Sequence, residues 1–312
     1  MSHIRVNRDG ELIGAAQVKI KNLPGGKGGI ADVLNGPLWR KKGTSVDVEV
    51  FRELVREIRQ EYAVRRGLFV RIRSTETGAN RDELRDILAE EGYGPTSAFR
   101  PAGPYLLDLS PSLEEIRKNF ARRWRRSLNQ SEKVGMNVRW SQDQKDFDSF
   151  RRLYDEMFVR KKCRPRESVE RYWRMHEQFS DDLKFHFLIS ELDGEPVSIN
   201  VCSHIGEAGL VLFRANGFKA METRSSFLLC WHMIQRLKEE GFRYYDCGNA
   251  RAPSLITYKE GLGAKRVDYP QPHVTGDELI GRVCGTLGQR AQELTHEVKG
   301  AIADLGCRVG LR

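Results

Sequence analysis

The sequence predicts an α/β protein with two domains, and two of its features carry this prediction. Segments with alternating apolar residues, as in strands, are repeatedly followed by segments whose apolar residues recur every three or four positions, as in helices with one buried face. The chain has 312 residues, which is enough for two hydrophobic cores. Its composition, 39% hydrophobic and 30% charged residues, is that of an ordinary globular protein. No apolar run approaches the roughly 20 residues that would span a bilayer.

The first predicted domain, residues 1–109, has the element order β-β-α-β-α. Its strand pair turns at Asp9-Gly10, a dipeptide typical of hairpins. The first helix has apolar residues spaced by four, among them Leu54 and Ile58, so one of its faces is expected to be buried. The predicted elements are a hairpin at 4–20, a helix at 46–66, a strand at 68–72, a helix at 81–92 and an extended crossover at 101–109.

The second predicted domain, residues 110–276, contains a basic helical insertion at 112–180. Its first helix is indicated by Ser110-Pro111-Ser112, since serine caps helices and proline suits the first turn. Three later strands are expected to form an antiparallel meander, followed by a helix, a strand and a final edge hairpin. The predicted elements are helices at 112–133, 145–161, 167–179 and 225–241, and strands at 138–140, 184–191, 197–205, 208–214 and 244–246.

Residues 277–312 are predicted to form a C-terminal amphipathic helix. Apolar residues such as Val283, Leu287 and Leu294 lie along one stripe of it. Such a stripe is compatible with packing on the body of the protein, with pairing to a second subunit or with contact to a membrane. The sequence therefore leaves the oligomeric state open.

The charge balance favours an anionic partner. Basic residues outnumber acidic ones by nine, 52 against 43, and this surplus attracts polyanions such as transfer RNA, a nucleotide-sugar diphosphate or an anionic membrane. The clearest basic patch is formed by Arg122, Arg125 and Arg126 around Trp124, and these arginines are candidate nucleic-acid-binding residues. The alternative is that they form only the solvated face of a helix.

Five motifs, taken in their order, resemble those of the Fem-type (FemAB-like) aminoacyl/peptidyl transferase family of the GNAT N-acyltransferase superfamily. Each motif is weak by itself, but their order makes the resemblance specific, and it extends over most of the chain. The last motif reads YYDCGNARAPSLITYKEGLG. The matching segments are Asn35-Gly36-Pro37 (with Asn in place of Arg), residues 119–135, Phe150–Lys161, Asp193–Val197 and Tyr244–Gly263.

The resemblance implies a fold of tandem GNAT-like domains, each with a mixed sheet flanked by helices. The first strand corresponds to the second or third strand of the family, so the N-terminal domain is expected to be shortened, or else the start belongs to a truncated form. The resemblance also implies an enzyme, since Fem-type proteins pass an aminoacyl group from aminoacyl-tRNA to an amine, often on a peptidoglycan precursor. No separate cofactor is implied, because aminoacyl-tRNA is the co-substrate.

Three residues of the last motif are candidates for the chemistry. Acyl transfer needs an ester held near a neutral amine and a cation or N–H pair aimed at the tetrahedral oxygen. The resemblance places the transition-state lysine at Lys259, just past a strand end; the structural alternative is a surface ion pair with Asp246 or Glu260. Asp246 would orient Lys259 or accept the amine's proton, and is otherwise a turn cap. Tyr258 would contact the donor, and is otherwise a core residue.

Arg160 and Arg164 are candidate substrate-binding residues. The resemblance places at Arg160 an arginine that grips the phosphates of the acceptor, and Arg164 belongs to the same cationic loop. A guanidinium fork suits a diphosphate in two-point contact. The alternative is a solvated basic helix end, which the helix dipole itself favours.

The donor is open between two classes. GNAT acetyltransferases bind the coenzyme A pyrophosphate on the N–H groups of a Gln/Arg-x-x-Gly-x-Gly/Ala turn that begins a helix. The corresponding residues here, 219–225, contain no glycine and include Glu222. This difference favours aminoacyl-tRNA. One alternative is acyl-CoA-dependent transfer in polysaccharide or natural-product biosynthesis, and another is a non-catalytic protein that binds RNA or a precursor.

The expected location is the cytoplasm. The N-terminus lacks the apolar core of a cleaved signal, and the six cysteines are scattered without a CxxC pair. A lipid-linked acceptor would bring the protein to the inner membrane as a peripheral partner. The seven histidines are dispersed, so no metal site is expected.

Overall fold

The structure, a computed structural model, describes residues 1–23, 28–41, 43, 45–96, 103–162, 168–250 and 252–276. It divides into two compact units, which we call the N-terminal unit (Met1–Ala102 with Asp268–Arg312) and the C-terminal unit (Gly103–Val267). The helix predicted for 277–312 lies outside the described residues. The predicted α/β class is confirmed, because each unit contains a mixed sheet flanked by helices.

Thirteen strands and nine α-helices occur in the described part of the chain. The strands are β1 (Ser2–Arg8), β2 (Glu11–Asn22), β3 (Gly29–Leu34), β4 (Phe69–Arg73), β5 (Gly94–Pro95), β6 (Tyr105–Asp108), β7 (Asn137–Ser141), β8 (His186–Leu192), β9 (Glu195–Ile205), β10 (Ala208–Asn216), β11 (Tyr244–Asp246), β12 (Lys265–Arg266) and β13 (His273–Thr275). The helices are α1 (Val48–Ile58), α2 (Arg81–Glu90), α3 (Leu113–Asn119), α4 (Arg122–Glu132), α5 (Gln144–Arg160), α6 (Val169–Gln178), α7 (Lys219–Thr223), α8 (Ser225–Glu239) and α9 (Pro253–Gly261).

The sheet of the N-terminal unit has the order β1-β2-β3-β4-β13-β5, with β3 and β4 parallel. The predicted hairpin is confirmed: Asp9 and Gly10 join β1 to β2 with positive φ angles of 53° and 80°. The sequence analysis missed β3. This strand is buried at every residue except Leu34, so it lacks the alternation by which a half-exposed strand is recognised.

The predicted helix at 46–66 is confirmed as α1 and a π-helical continuation, Arg59–Arg65. Asp47 caps α1, because its side chain accepts a hydrogen bond from the backbone N–H of Glu49 at 3.1 Å. The apolar face of α1 is buried in the core of the N-terminal unit together with strands of the sheet. The buried residues of α1 are Val50, Phe51, Leu54, Val55 and Ile58.

The sheet of the C-terminal unit has the order β12-β6-β11-β10-β9-β8-β7. The predicted meander is confirmed, since β8, β9 and β10 pair antiparallel in sequence order. In contrast, β10 and β11 are parallel, and α8 connects them. Their pairing is short: only Ala208–Leu210 of β10 meets Tyr244–Asp246 of β11. Beyond Leu210 the two strands separate.

Two predicted features at the domain boundaries differ from the structure. The final edge hairpin is wrong: β12 pairs with β6 in the second sheet, whereas β13 pairs with β4 and β5 in the first. Residues 268–276 therefore belong to the N-terminal unit rather than to the predicted second domain. At the other boundary β6 pairs with β11, so the C-terminal unit begins at Gly103 and not at 110.

The single helix predicted at 112–133 is also wrong, because Phe120 and Ala121 are extended and divide it into α3 and α4. The break has a tertiary cause. The backbone N–H of Ala121 donates a 2.8 Å hydrogen bond to the carbonyl of Gly261 at the end of α9. The Phe120 and Trp124 rings pack with centroids 4.4 Å apart. The break thus anchors the start of α4 on α9.

Candidate active site

The site is formed where β10 and β11 separate. β10 continues to Asn216, while the chain leaves β11 at Asp246 and passes through a turn to α9. Beyond Leu210, the edge of β10 that faced β11 has no strand partner among the described residues. Polar side chains from β10, β11 and α9 gather at this opening, and three of them were predicted from the last sequence motif.

Lys259 lies in α9 and is 5% exposed. Its Nζ donates hydrogen bonds to the backbone carbonyls of Gly248 and Asn249, both at 2.8 Å. The surface ion pair that we considered as an alternative is not formed, since neither Asp246 nor Glu260, both described residues, pairs with Lys259. Lys259 itself lies in a helix, but its Nζ reaches the turn after β11, close to the strand end at which the sequence analysis expected this lysine.

Burial lowers the pKa of Lys259, because moving an ammonium out of water disfavours its charged form. The guanidinium of Arg214 lowers the pKa further, whereas Cys247 and Asp246 act in the opposite direction. Lys259 therefore loses its proton at a lower pH than a surface lysine. Its Nζ is held in place by the two backbone carbonyls.

Asp246 ends β11 and caps the following turn, since its Oδ1 accepts a 2.6 Å hydrogen bond from the backbone N–H of Gly248. This is the structural role that we considered as an alternative. Burial raises the pKa of Asp246, and the Gly248 hydrogen bond and the charge of Lys259 oppose that rise. The carboxylate is consequently more basic than that of a surface aspartate.

Tyr258 is half-buried between α8 and α4. Its hydroxyl donates to the backbone carbonyl of Ser226 at 3.2 Å. Its ring centroid lies 5.2 Å from that of Phe227 and 6.0 Å from that of Trp124. Burial raises the pKa of the phenol well above its ordinary value, so the hydroxyl stays neutral. Tyr258 therefore connects α9 to both α8 and α4.

Arg214, on β10 beyond the paired segment, was missed by the sequence analysis. Its Nη2 donates to the hydroxyl of Tyr245 at 2.8 Å, and Tyr245 is completely buried. A single arginine in the apolar stretch Leu210–Ala215 was the only signal in the sequence, and it belongs to no motif. The structure places this guanidinium close enough to Lys259 to affect its pKa.

Arg160 ends α5, and its Nη2 donates to the backbone carbonyl of Asn216 at 3.2 Å. Its Nε is buried and has no hydrogen-bond partner among the described residues. The arginine therefore lies at the far end of β10, where the strand leads into α7. Arg164, predicted to act with it, lies outside the described residues.

The predicted basic patch lies on the outer face of α4. Arg122 and Arg126 are exposed, while Arg125 is half-buried and donates to the backbone carbonyl of Lys118 at 2.6 Å. None of the three forms an ion pair with a described carboxylate. The N-cap residue, Ala121, offers no side-chain cap to the helix. These side chains line a surface groove together with Arg123, Asn129, Gln130 and Lys133.

The junction that begins α8 is helical. α7 occupies Lys219–Thr223, and Arg224 follows in the left-handed conformation with φ of 54°. The Arg224 side chain donates to Ser127 Oγ of α4 at 3.2 Å. The first residue of α8, Ser225, has its hydroxyl 2.5 Å from that of Ser198 on β9. A helical turn without glycine and the left-handed Arg224 therefore stand where acetyltransferases have a glycine-rich turn.

The part of the chain that the structure describes has neither a cluster of metal ligands nor a helix that could span a membrane. No group of three or more His, Cys, Asp or Glu side chains there could hold a metal ion. Within the same residues, no helix is both long and apolar enough to cross a lipid bilayer. Cys202, Cys230 and Cys247 are free and buried.

Comparison with known proteins agrees with this fold. Residues 117–260 match the family model described as an acetyltransferase (GNAT) domain. The structure of FemX superposes with a TM-score of 0.75 and 14% identity over 91% of this chain and 90% of that one. No curated protein sequence matches significantly.

Two further solved structures have the same fold. A C-terminal domain assigned to a lysylphosphatidylglycerol synthetase of Agrobacterium fabrum superposes with a TM-score of 0.59 and 15% identity, over 86% of this chain and 82% of that one. The structure of L-PGS from Bacillus licheniformis gives a TM-score of 0.55 and 15% identity, over 89% and 85% of the two chains. Residues 117–260 thus match an acetyltransferase (GNAT) domain, and the chain as a whole has a tandem GNAT-like fold similar to that of FemX.

Proposed function

We propose that this protein is an aminoacyltransferase that moves an amino acid from aminoacyl-tRNA to an amine of a peptidoglycan-type or other small acceptor. The observation that carries this proposal is the junction before α8. A helical turn, the acidic Glu222 and the left-handed Arg224 stand where acetyltransferases have the glycine-rich turn that approaches the coenzyme A pyrophosphate. Such a junction is poorly suited to coenzyme A and favours a donor held elsewhere.

The relatives in fold support the same donor class. FemX shares the tandem arrangement over nine-tenths of both chains. A synthetase of lysylphosphatidylglycerol, with which the fold is also shared, makes a product that contains an amino acid. The name lysylphosphatidylglycerol synthetase points to transfer of an amino acid rather than an acetyl group, whereas the name FemX states neither a donor nor an acceptor. The relatives therefore support the donor class more closely than they support any one acceptor.

The chemistry assigns a role to each group at the opening between β10 and β11. The acceptor amine attacks the ester carbon and forms the C–N bond, and the bond from that carbon to the ribose oxygen of the tRNA then breaks. An ammonium has three N–H donors, and the carbonyls of Gly248 and Asn249 use two of those on Lys259. The third is left for the tetrahedral oxygen. Asp246, with its raised pKa, takes the proton of the amine, which finally reaches the ribose oxygen.

The basic face of α4 is the proposed contact with the RNA. Its apolar residues, Trp124 and Leu128, are buried in the protein. Its exposed residues are all polar, so the face lacks the apolar side chains with which helices insert into membranes. Unpaired arginines and side-chain amides suit phosphates and ribose hydroxyls. The ring of Trp124 packs against that of Tyr258, which directly precedes Lys259, and so connects this face to the candidate site.

The proposed acceptor site involves Arg160. Its Nε has no partner in the described residues, so the guanidinium still has hydrogen-bonding capacity for a phosphate. An aminoacyl-tRNA donor would place the reaction in the cytoplasm. If the acceptor is lipid-linked, the protein would meet the inner membrane as a peripheral partner.

The test is protection of the donor ester. The purified protein is incubated with total charged tRNA, with each amino acid radiolabelled in turn, and separately with labelled acetyl-CoA. We expect one aminoacyl ester to be protected from hydrolysis and the protection to decrease at higher salt. Binding of acetyl-CoA alone would favour the acyl-CoA alternative, which the description of the matching family model also permits. If no aminoacyl ester is protected and acetyl-CoA does not bind, the proposed donor is wrong.

A further inference from the structure

Arg214 is a cation whose hydrogen-bonding capacity is mostly unused. A guanidinium has five N–H donors. In Arg214 only Nη2 has a hydrogen-bond partner among the described residues, and that partner is the neutral hydroxyl of Tyr245. The residue is half-buried, so part of the side chain keeps contact with solvent. It lies on β10 beyond Leu210, where β11 has moved away.

The described residues around this guanidinium supply no counter-charge. No described carboxylate forms an ion pair with Arg214. The ionisable groups that interact with it most strongly are Tyr245, Tyr258, Cys230 and Cys247. Burial raises the pKa of all four, so all four are neutral near pH 7. The other cation nearby, Lys259, is repelled by Arg214.

An unpaired cation in such a place is costly for the folded protein. Taking a charge out of water is unfavourable unless a partner compensates for it, and apolar residues of similar volume are often better tolerated there. The adjoining core is built from Tyr245, Cys230 and other apolar residues, which would accept an uncharged side chain at this position. Stability alone therefore does not account for an arginine at this opening.

We propose that Arg214 is a binding site for a carboxylate carried by one of the two substrates. This inference rests on the proposed acyl transfer at the opening between β10 and β11, and it adds a recognition element to it. The free edge of the guanidinium would donate two parallel N–H···O hydrogen bonds to a carboxylate. The carboxylate belongs either to the transferred acyl group, as in an acidic amino acid, or to the acceptor.

The surroundings favour a carboxylate over a phosphate. A guanidinium edge also pairs with two oxygens of a phosphate, but the remaining oxygen and the higher charge of that group call for further donors or cations beside it. Lys259, the cation that interacts with Arg214 among the described residues, donates two of its N–H groups to the carbonyls of Gly248 and Asn249, and the third is assigned to the tetrahedral oxygen. The neighbouring phenols and thiols are neutral, and two of them, Tyr245 and Cys230, are almost completely buried. One planar anion with a single charge is the best match to this edge.

The first experiment measures anion binding without any tRNA. The thermal midpoint of the full chain is followed while sodium acetate or sodium glutarate replaces sodium chloride at constant ionic strength, with acetamide as the uncharged match. We expect a saturable rise of about 2–4 °C with the carboxylates. Acetamide should have no effect, and inorganic phosphate should have less effect than the carboxylates. An equal rise with phosphate would mean a general anion site and would overturn the carboxylate assignment.

Three variants make the result specific. Arg214→Met should abolish the rise, and Arg214→Lys should weaken binding about tenfold, because an ammonium lacks the planar fork. Arg236→Met is the matched control, since Arg236 lies on α8 and pairs with Glu240 at the surface. It should retain the full rise. Without carboxylate, Arg214→Met should melt at the same temperature as the wild type or higher.

Further outcomes distinguish this inference from the proposed function. If Arg214→Met melts well below the wild type and the Arg214→Lys midpoint does not respond to carboxylate, the arginine is structural and the inference fails. Donor protection by the wild type could still hold. Once a donor is identified, Arg214→Lys should raise the KM of whichever substrate carries the carboxylate and leave the other unchanged. Equal KM changes for both substrates would contradict a single carboxylate site.

Discussion

At the scale of single residues, Lys259 has both a structural and a proposed catalytic role. We expect Lys259→Met to lower kcat about 10²–10³-fold, because a donor to the tetrahedral oxygen is lost. Protection of the donor ester should persist, since the ester is bound before that oxygen forms. Single-turnover transfer with a labelled donor measures the first quantity, and the hydrolysis assay measures the second.

The control for this prediction is Lys265→Met, since Lys265 is an exposed lysine six residues further along the chain. Its kcat should match that of the wild type. The Lys259→Met variant also loses two hydrogen bonds to the turn after β11, so its thermal midpoint must be recorded. A variant that stays folded and keeps its full kcat would leave Lys259 with the structural role alone.

The pKa shifts at the site predict a pH dependence. Lys259 acts as an ammonium, and burial lowers its pKa below 10.5, so kcat should fall on the alkaline side before pH 10.5. Asp246 acts as a carboxylate, and burial raises its pKa above 3.8, so kcat should rise on the acidic side only above that pH. The profile is measured as kcat against pH at saturating substrate.

Substitutions assign the two limbs of this profile. Lys259→Arg should move the alkaline limb upward, because a guanidinium keeps its proton. Asp246→Asn should remove the acidic limb and lower the plateau. Limbs that stay in place in both variants would show that other groups titrate.

Lys259, Asp246 and Tyr258 could be proposed from the sequence because they belong to one motif, whereas Arg214 is a lone cation and has no motif to indicate it.

At the scale of elements, the exposed face of α4 predicts a salt-dependent contact with RNA. Each phosphate contact that is lost should reduce the slope of log K against log salt by about one. The double variant Arg122→Gln/Arg126→Gln should therefore reduce the slope by about two and weaken the binding of tRNA. Filter binding of charged tRNA at several salt concentrations measures this.

A matched pair on other helices serves as the control. Arg151 on α5 and Arg174 on α6 are also exposed, so Arg151→Gln/Arg174→Gln removes the same charge elsewhere. It should change the slope much less. If both pairs reduce it equally, the net charge of the protein attracts RNA and α4 is not the contact.

The contact of β10 with α8 predicts a steric effect at Gly209. A Cβ atom added there would lie 2.0 Å from Cδ2 of Leu237, so a side chain cannot be accommodated without movement. We expect Gly209→Ala to reduce the free energy of unfolding by about 1–3 kcal/mol. Urea denaturation measures this. Gly94→Ala is the control, because a Cβ there meets nothing within 4 Å, and its free energy of unfolding should change little.

Elements with local signals were predicted well, and those fixed by distant contacts were not. The first hairpin and the β8–β10 meander carry turn dipeptides and alternating residues, which act over a few positions. The break at Phe120–Ala121 arises from the hydrogen bond to Gly261, which is 140 positions further along the chain, while Phe120 and Trp124 keep helical spacing. The burial of β3 on both faces removed its periodic signal in the same way.

At the scale of the whole molecule, the tandem architecture was predicted from the order of motifs, but the path of the chain between its two units was not. The chain completes the C-terminal unit at Val267 and then supplies β13 to the first sheet. A strand of three residues carries too little local pattern to reveal its partner. Only the pairing with β4 and β5 defines where it belongs.

This path predicts which unit depends on the last described strand. Ending the chain after Val267 removes β13, so β4 and β5 lose the strand that lies between them. Amide hydrogens of β4 should then exchange roughly tenfold to a hundredfold faster, since several backbone hydrogen bonds worth about 1 kcal/mol each are lost. Those of β9 and β10 should keep their rates. The matched control ends after Gly276. It retains β13 and removes residues 277–312, which the first truncation also removes. Faster exchange of β4 in both truncations would show that the residues after 276, and not β13, stabilise the N-terminal unit.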